Sequence, residues 1–413
     1  MPNLGAAAPY VGALGILAIL FIAFLLSNGK TRLNFRIILA AFALQAAIGL
    51  FVLKVPAGQV ALSAMAGGVN KLLDYSNSGI DFVFGPLATQ FSFALHVLPI
   101  IIFFGALLSV LYYLRIMQWI VRGIGTFLQI VIGTGKIESL YAAANIFVGQ
   151  SESPLVIKPY LKDLKPAQMF TLMCVGMAGI AGSLLAAYSS MGMKTEYLLA
   201  ASFMGAPGGL LMAKIIMPDE KRAKDAPKEP EIKLEQEDAA VNVFQAAGTG
   251  AMDGMKVAFA VGAMLIAFIS IIAMLNGILG WIGGYVGDPQ LSFQQILGWI
   301  FSPVMFLLGI PWNEAQIAGG FFGEKLVLNE FVAFTDFSGR RTGLSDHTQA
   351  IITFALCGFA NFSSIAIQLG VLGELVPERK AEIAKYGLKA VAAGSLSNLM
   401  SAAIAGLIIA TLG

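Results

Sequence analysis

Ile146-Phe147-Val148-Gly149-Gln150-Ser151-Glu152-Ser153-Pro154-Leu155 is the stretch on which the reading of this chain turns. It sets an amide, a carboxylate and two hydroxyls into otherwise apolar sequence, with a glycine and a proline that break helices. Around it the chain is 57% hydrophobic and only 12% charged, whereas soluble domains carry about 25% charged residues. The chain is therefore an integral membrane protein, and this break is expected at membrane depth. Irregular backbone is tolerated there only where it is buried in protein or lines a cavity. An ionisable group at that depth marks a functional site by default. The stretch reads as the tip of a re-entrant hairpin that offers hydrogen bonds to a polar solute.

Composition also excludes several classes. The formal net charge is +2 with no basic stripe, so no nucleic acid partner is expected. Cys174 and Cys357 lie in apolar runs and read as small packed residues, not as a disulfide or metal pair. His96 and His347 are far apart and make no metal signature; they read as packed or interfacial residues. Abundant glycine (46) and phenylalanine (29) suit close helix packing with lipid-facing aromatics. No basic run precedes the first apolar stretch, so residues 8–27 read as a retained helix and not as a cleaved signal peptide. No non-apolar segment is long enough for a soluble enzyme domain. A nucleophile–base pair and a metal triad are both lacking, so an enzyme is not expected. The expected location is the inner (plasma) membrane, as a multi-pass protein in contact with lipid.

A spanning helix needs roughly 20 mainly apolar residues. Spans are expected at 8–27, 35–53, 91–114, 167–190, 196–216, 251–283, 348–373 and 388–412. The runs 137–157 and 292–330 are interrupted by polar clusters and by Pro or Gly, and read as hairpins. Residues 59–76, of mixed polarity, read as an interfacial helix. The expected fold class is an all-α polytopic membrane protein of about eight transmembrane helices, two re-entrant hairpins, inverted repeats and an interfacial helix. Basic clusters at Lys30–Arg36, Arg115–Arg122, Lys158–Lys165, Lys221–Lys233 and Arg379–Lys389 share one face if both termini lie outside. Arg340 and Arg341 fall on the other face. The hydrophilic stretch Pro218–Asp238 reads as a solvated cytoplasmic linker.

An internal repeat organises the rest. Hairpin 137–157 is followed by helices 167–190 and 196–216; hairpin 292–330 is followed by helices 348–373 and 388–412. The helix after each hairpin carries a similar interruption, Cys174-Val-Gly-Met-Ala-Gly-Ile-Ala-Gly-Ser183 in one and Cys357-Gly-Phe-Ala-Asn-Phe-Ser-Ser364 in the other. The two hairpins start from opposite faces. Inverted repeats with paired broken helices point to a secondary transporter with its site near the midplane. The chain divides into 1–135 (N-terminal helices, interfacial helix, scaffold), 136–217 (first repeat), 218–248 (charged linker), 249–290 (long scaffold helix) and 291–413 (second repeat).

Gln150, Ser151 and Glu152 can donate and accept on neighbouring atoms, as the edge of a heterocycle requires; the alternative is a polar network that caps the hairpin backbone. Glu330, in Leu326-Val-Leu-Asn-Glu-Phe-Val-Ala-Phe334, can accept from two hydroxyls of a vicinal diol. Its alternative is an ion pair with Lys325. Either glutamate can also take up a proton. Asn361 and Ser364, three apart, are expected on one helical face, to bind a sugar or to glue helices together. Phe359 and Leu184 can wall a ring or simply pack. Gly179 and Gly182 favour local unwinding, which frees carbonyls for a small hard cation; the alternative is close helix contact.

At these residues the sequence resembles the concentrative nucleoside transporter family. The similarity runs from about residue 80 to 412. Its motifs are Gly149-Gln-Ser-Glu-Ser-Pro-Leu155, Leu328-Asn-Glu-Phe-Val332 and Cys357-Gly-Phe-Ala-Asn-Phe-Ser-Ser-Ile365. The resemblance implies a homotrimer that imports nucleosides such as uridine, driven by a cation gradient, through an elevator motion of a transport domain against a scaffold. It implies that Gln150, Ser151 and Glu152 face the nucleobase, that Leu184 and Phe359 pack on it, and that Glu330, Asn361 and Ser364 hold the ribose. It places a sodium ion among Asn145, Val148, Ser151, Gly179 and Ile180, with no other cofactor. Position 179 commonly bears a hydroxyl in sodium users and is glycine here, so proton coupling stands as the alternative. Two other functions fit the same architecture: a carrier for another small polar solute, such as a nucleobase or an amino acid, and an ion channel.

Overall fold

Helices alone make up the regular structure of the described residues, 8–89, 92–220 and 240–412 of a computed structural model. Apolar runs set their lengths and local caps set their ends. Helices α1 (Ala8–Leu25) and α2 (Phe35–Lys54) come first. The side chain of Asn34 caps α2 by accepting from the Ile37 N–H. Pro56 opens α3 (Pro56–Phe84), where its missing N–H costs nothing. The expected interfacial helix 59–76 is thus the middle of a longer element. Only Gly58, Leu62, Ala66, Ser76 and Ile80 of α3 are buried, a narrow stripe on an otherwise exposed helix.

Next follow α4 (Leu98–Tyr113) and α5 (Ile116–Ile132). The apolar runs alone predict no element at 116–132. Helix α5 is amphipathic. It buries Met117, Val121, Gly125, Leu128 and Ile132 along one face and packs against the following helix through Gly125 and Leu140. That helix, α6 (Lys136–Val156), loses helical geometry at Gly149. Ser153 Oγ lies 3.4 Å from Asn145 Oδ1. Eight residues of straight helix would separate the two positions by about 12 Å, so the chain folds back at Gly149 as a hairpin.

Helices α7 (Pro166–Ala178) and α8 (Gly182–Ser190) are the two halves of the expected span 167–190, broken at residues 179–181. Then come α9 (Thr195–Ile216) and α10 (Val243–Val286). Most of the expected linker, residues 221–239 with its basic cluster, lies outside the described residues. Helix α10 begins at Val243, capped by Asn242, upstream of the expected 251.

The second repeat holds α11 (Phe293–Leu307), α12 (Trp312–Val327), α13 (Glu330–Arg340), α14 (Asp346–Leu356), α15 (Phe362–Leu375) and α16 (Lys380–Leu412). Here the expected hairpin 292–330 is corrected. Helices α11 and α12 do bend by 117°, but the buried hairpin tip is the next break, at Leu328 and Asn329. Phe321 and Phe337 stack edge-on with centroids 5.4 Å apart, and the Arg340 guanidinium lies 4.8 Å over the Phe321 ring. Sixteen residues of straight helix would set them about 24 Å apart, so α12 and α13 are antiparallel limbs. The sequence showed two interruptions, 309–311 and 328–330, and could not tell a corner from a buried tip. Arg340 also pairs with Asp336, and Arg341 donates to the Gly192 carbonyl. Both arginines are thus held by local partners within the protein.

Six helices among the described residues are long and apolar enough to cross a bilayer. The expected spans 8–27 and 348–373 fall outside that test, because the described α1 is short and α14–α15 is broken. Burial divides the molecule. The spans of α7–α8, α9 and α16 are 83%, 94% and 83% buried, whereas those of α2, α4 and α10 are each 22% buried. The two hairpins and two broken helices therefore close around an inner bundle, with α10 and α4 packed against each other outside it.

Candidate functional site

Gly149 sits at φ +74°, ψ −176°. A Cβ there would come within 2.9 Å of the Ala181 Cβ and 3.1 Å of the Phe359 ring. Glycine is therefore required twice, by backbone conformation and by space. Ser153 Oγ donates to the Gly149 carbonyl at 2.6 Å, which satisfies the first limb's end. Just past the tip, buried Gln150 donates from Nε2 to Ser364 Oγ at 2.9 Å. Its Oε1 accepts from Gln368 Nε2 at 3.1 Å, and Gln368 also donates to the Met173 carbonyl.

The second tip is built differently. Asn329 takes extended backbone and caps α13, its Oδ1 accepting from the Val332 N–H at 2.9 Å. Glu330 follows as the first helical residue, buried in the first turn of α13, where free N–H groups favour negative charge. Its Oε1 accepts from Tyr188 Oη at 3.2 Å and its Oε2 from Asn361 Nδ2 at 2.9 Å. Asn361 is in turn the cap of α15, with Oδ1 accepting from the Ser364 N–H at 2.9 Å. Ser364 Oγ donates to the Phe359 carbonyl at 2.5 Å. One chain of hydrogen bonds thus runs Tyr188–Glu330–Asn361–Ser364–Gln150–Gln368, joining both hairpin tips and both broken helices.

Of the expected substrate residues, Gln150, Glu330, Asn361 and Ser364 are brought together in this chain. Leu184 and Phe359 are buried beside the breaks of their helices. Asn361 and Ser364 are related as cap and third residue, not as one continuous helical face. Ser151 and Glu152 depart from the cluster. Both are exposed, and Glu152 lines an open cavity of about 740 Å³ with Val148, Ala181 and Ser183. Helices α4 and α10 wall the other side of that cavity through residues such as Tyr112 and Asp253. The alternative for Glu330, an ion pair with Lys325, is replaced: Lys325 Nζ donates to the Ala355 carbonyl and Asn398 Oδ1, each at 2.7 Å.

Sequence reasoning missed Tyr188, Gln368 and Asn329. A lone tyrosine or glutamine in an apolar helix carries no signal of what it faces. Asn329 had one, as an asparagine directly before the glutamate that opens a helix. Its Nδ2 is buried with no hydrogen-bond partner among the described residues, which leaves a donor beside Glu330. The cluster as a whole offers neutral donors and acceptors around one carboxylate. It suits an uncharged polar ligand with hydroxyls and a flat ring.

Of the expected cation ligands, Asn145, Val148, Gly179 and Ile180 are buried around the break between α7 and α8, while Ser151 is exposed. Asn145 Nδ2 donates to the Val175 carbonyl at 2.8 Å. A Cβ on Gly179 would lie 2.5 Å from that nitrogen. A hydroxyl side chain at position 179 would have no room while Asn145 occupies this place. The expected donor set would be all oxygen and uncharged, carbonyls plus Asn145 Oδ1, which would suit a monovalent hard cation. Among the described residues no cluster of His, Cys, Asp or Glu has metal-binding geometry.

Two hairpins and two broken helices that meet on a polar cluster inside a membrane domain are the architecture of a solute carrier. Models of the Na+ dependent nucleoside transporter match at residues 14–87 (N-terminus) and 197–406 (C-terminus), and a nucleoside recognition model matches residues 94–195. The nucleoside permease NupC of Helicobacter pylori is 47% identical over 96% of this chain and 96% of its own length. The uncharacterized transporter YutK of Bacillus subtilis is 50% identical over 96% of this chain and 99% of its own. The structure of CNTnw in an inward-facing substrate-bound state superimposes with a TM-score of 0.91 at 46% identity, covering 97% and 98% of the two chains. An outward-facing CNTnw variant gives 0.94 at 45% identity, covering 98% and 99%. The chain belongs to the Na+ dependent, concentrative nucleoside transporter family. It is a multi-pass plasma-membrane transporter of nucleosides and not an enzyme.

Proposed function

We propose that this protein imports nucleosides such as uridine, coupled to sodium, with Glu330 and Asn361 holding the ribose and Gln150 holding the base. The single observation that carries this is the hydrogen-bond chain from Tyr188 to Gln368, which unites both hairpin tips through polar side chains and the Ser364 N–H. Each Glu330 oxygen accepts one neutral side-chain donor, and a carboxylate has the lone-pair capacity to accept ligand hydroxyls as well. Leu184 and Phe359 supply the apolar walls that a flat ring needs. Glu152 belongs to the approach route in this arrangement. The cavity it borders is within the size range of small-molecule sites, about 300–1,000 Å³, and leads from the first turns of α10 to the hairpin tip.

Sodium would be held by Asn145 Oδ1 and by carbonyls of Val148, Gly179 and Ile180, and would supply positive charge where α7 ends. Because this end abuts Gly149 and Phe359, filling the ion site would set the hairpin tip for the nucleoside. Transport then proceeds by an elevator motion of the buried bundle against α4 and α10, within a homotrimer. The division of burial between inner bundle and outer helices supports this reading.

Uridine uptake into proteoliposomes tests it. Concentrative uptake is expected under an inward sodium gradient. Uptake driven only by an inward proton gradient would move the coupling role to a carboxylate. Absence of uptake under both gradients would overturn the assignment of nucleoside import.

A further inference from the structure

Where a membrane helix breaks, the carbonyls of its last turn lose their partners. Two such ends occur here, α7 at Ala178 and α14 at Leu356 and Cys357. Neither is met by water-exposed groups. Asn398, in the middle of α16, donates from Nδ2 to the Ala178 carbonyl at 2.7 Å and to the Cys357 carbonyl at 3.0 Å. Lys325, from α12, donates to the Ala355 carbonyl and to Asn398 Oδ1. Both side chains are essentially inaccessible, at 0% and 1% exposure. Among the described residues no carboxylate lies within ion-pair distance of the Lys325 ammonium; it donates to neutral acceptors at the negative end of α14. Space around the pair is closed. A Cβ on Gly358 would collide with the Asn398 carboxamide, and one on Gly394 would come within 2.8 Å of the Met177 Cβ.

This arrangement ties together two places with different tasks. Ala178 is followed directly by Gly179 and Ile180, the proposed cation ligands. Lys325 sits one turn before the tip that carries Asn329 and Glu330, and Cys357 precedes Phe359 and Asn361. We infer that Lys325 and Asn398 are positioning residues that couple the cation site to the nucleoside site, by holding the ends of α7 and α14 in one rigid crossing. Neither side chain is in the hydrogen-bond chain assigned to the nucleoside. Their effect acts through the carbonyls they hold: an α7 end that shifts on ion binding carries Asn398 with it, and with Asn398 the ends of α14 and α12. The inference rests on the proposed sodium and nucleoside sites.

The test is Asn398→Asp, nearly the same size, which keeps an acceptor for Lys325 and replaces the two N–H donors with oxygen. Uridine affinity is measured by calorimetry with and without sodium, for purified wild type and for the variant. The wild type is expected to bind uridine at least about tenfold more tightly in sodium, and Asn398→Asp to lose most of that ratio. Lys325→Arg, which keeps charge and donors, is expected to retain more of the ratio than Lys325→Met. A variant ratio equal to wild type overturns the inference, even if both affinities fall. Wild-type binding of uridine that ignores sodium overturns it as well, while leaving nucleoside binding intact. Wild type that binds no uridine removes the functional reading beneath it. If Asn398→Asp does not yield folded protein, the Lys325→Arg and Lys325→Met ratios decide; identical ratios in those two reject the coupling role.

Discussion

Glu330 opens α13 with one carboxylate oxygen on Tyr188 and the other on Asn361. Hydrogen bonds to a charged group contribute about 1.5–3 kcal/mol each. Glu330→Gln keeps the shape but loses the charge and turns one acceptor into a donor, facing the Asn361 amide or the Tyr188 hydroxyl. Uridine binding is expected to weaken at least about tenfold, since 1.4 kcal/mol is about tenfold in affinity. Calorimetry on monodisperse protein checks this, and unchanged affinity would falsify the ribose assignment. At this scale the sequence was informative wherever a polar side chain interrupts apolar sequence, as at Gln150, Glu330 and Asn361. It was silent on Tyr188, Gln368 and Asn398, whose roles depend on what lies opposite them. For Ser151 and Glu152 it suggested membership of the cluster. Two and three residues after the tip, both are exposed on the second limb, and Glu152 lines the cavity.

Helix ends carry the next level of organisation. Glu138 lies in the first turn of α6 and accepts from the Gly135 N–H, while Lys214 lies in the last turn of α9. Their buried ion pair, at 2.7 Å, places each charge at the helix end whose dipole favours it, and Lys214 pairs with Asp219 too. Removing one partner of a buried pair typically costs about 3–5 kcal/mol. Lys214→Met should therefore lower the thermal unfolding midpoint clearly. Glu138→Gln should lower it less, because Asp219 still meets the lysine. An unchanged midpoint for Lys214→Met would show that the pair does not secure α6 to α9. Sequence periodicity found most elements but misplaced the second hairpin and passed over α5. An apolar-run search does not see a one-sided helix with an arginine, Arg122, on its outer face. Nor can it decide which of two nearby breaks is buried.

For the whole molecule, the long helix α10 leaves Phe259, Ile266, Met274 and Trp281 exposed, while α7, α9 and α16 are enclosed. An outer layer of this kind suits contact with lipid and with neighbouring copies, and the family resemblance sets the expected number at three. Native mass spectrometry from mild detergent should show a particle of three chains; a single chain at all concentrations would remove the trimer from the proposal. The amino-acid sequence by itself determined that this is a helical membrane carrier with paired interruptions. Hydrophobic length, helix-breaking residues and isolated polar clusters are local properties, readable in order along the chain. The tertiary structure alone decided which interruption is the second tip, that Lys325 turns from Glu330 to Asn398, and that one asparagine of α16 closes both broken helices. Those outcomes depend on unpaired carbonyls finding donors from elements far away in sequence, and only packing brings such groups face to face.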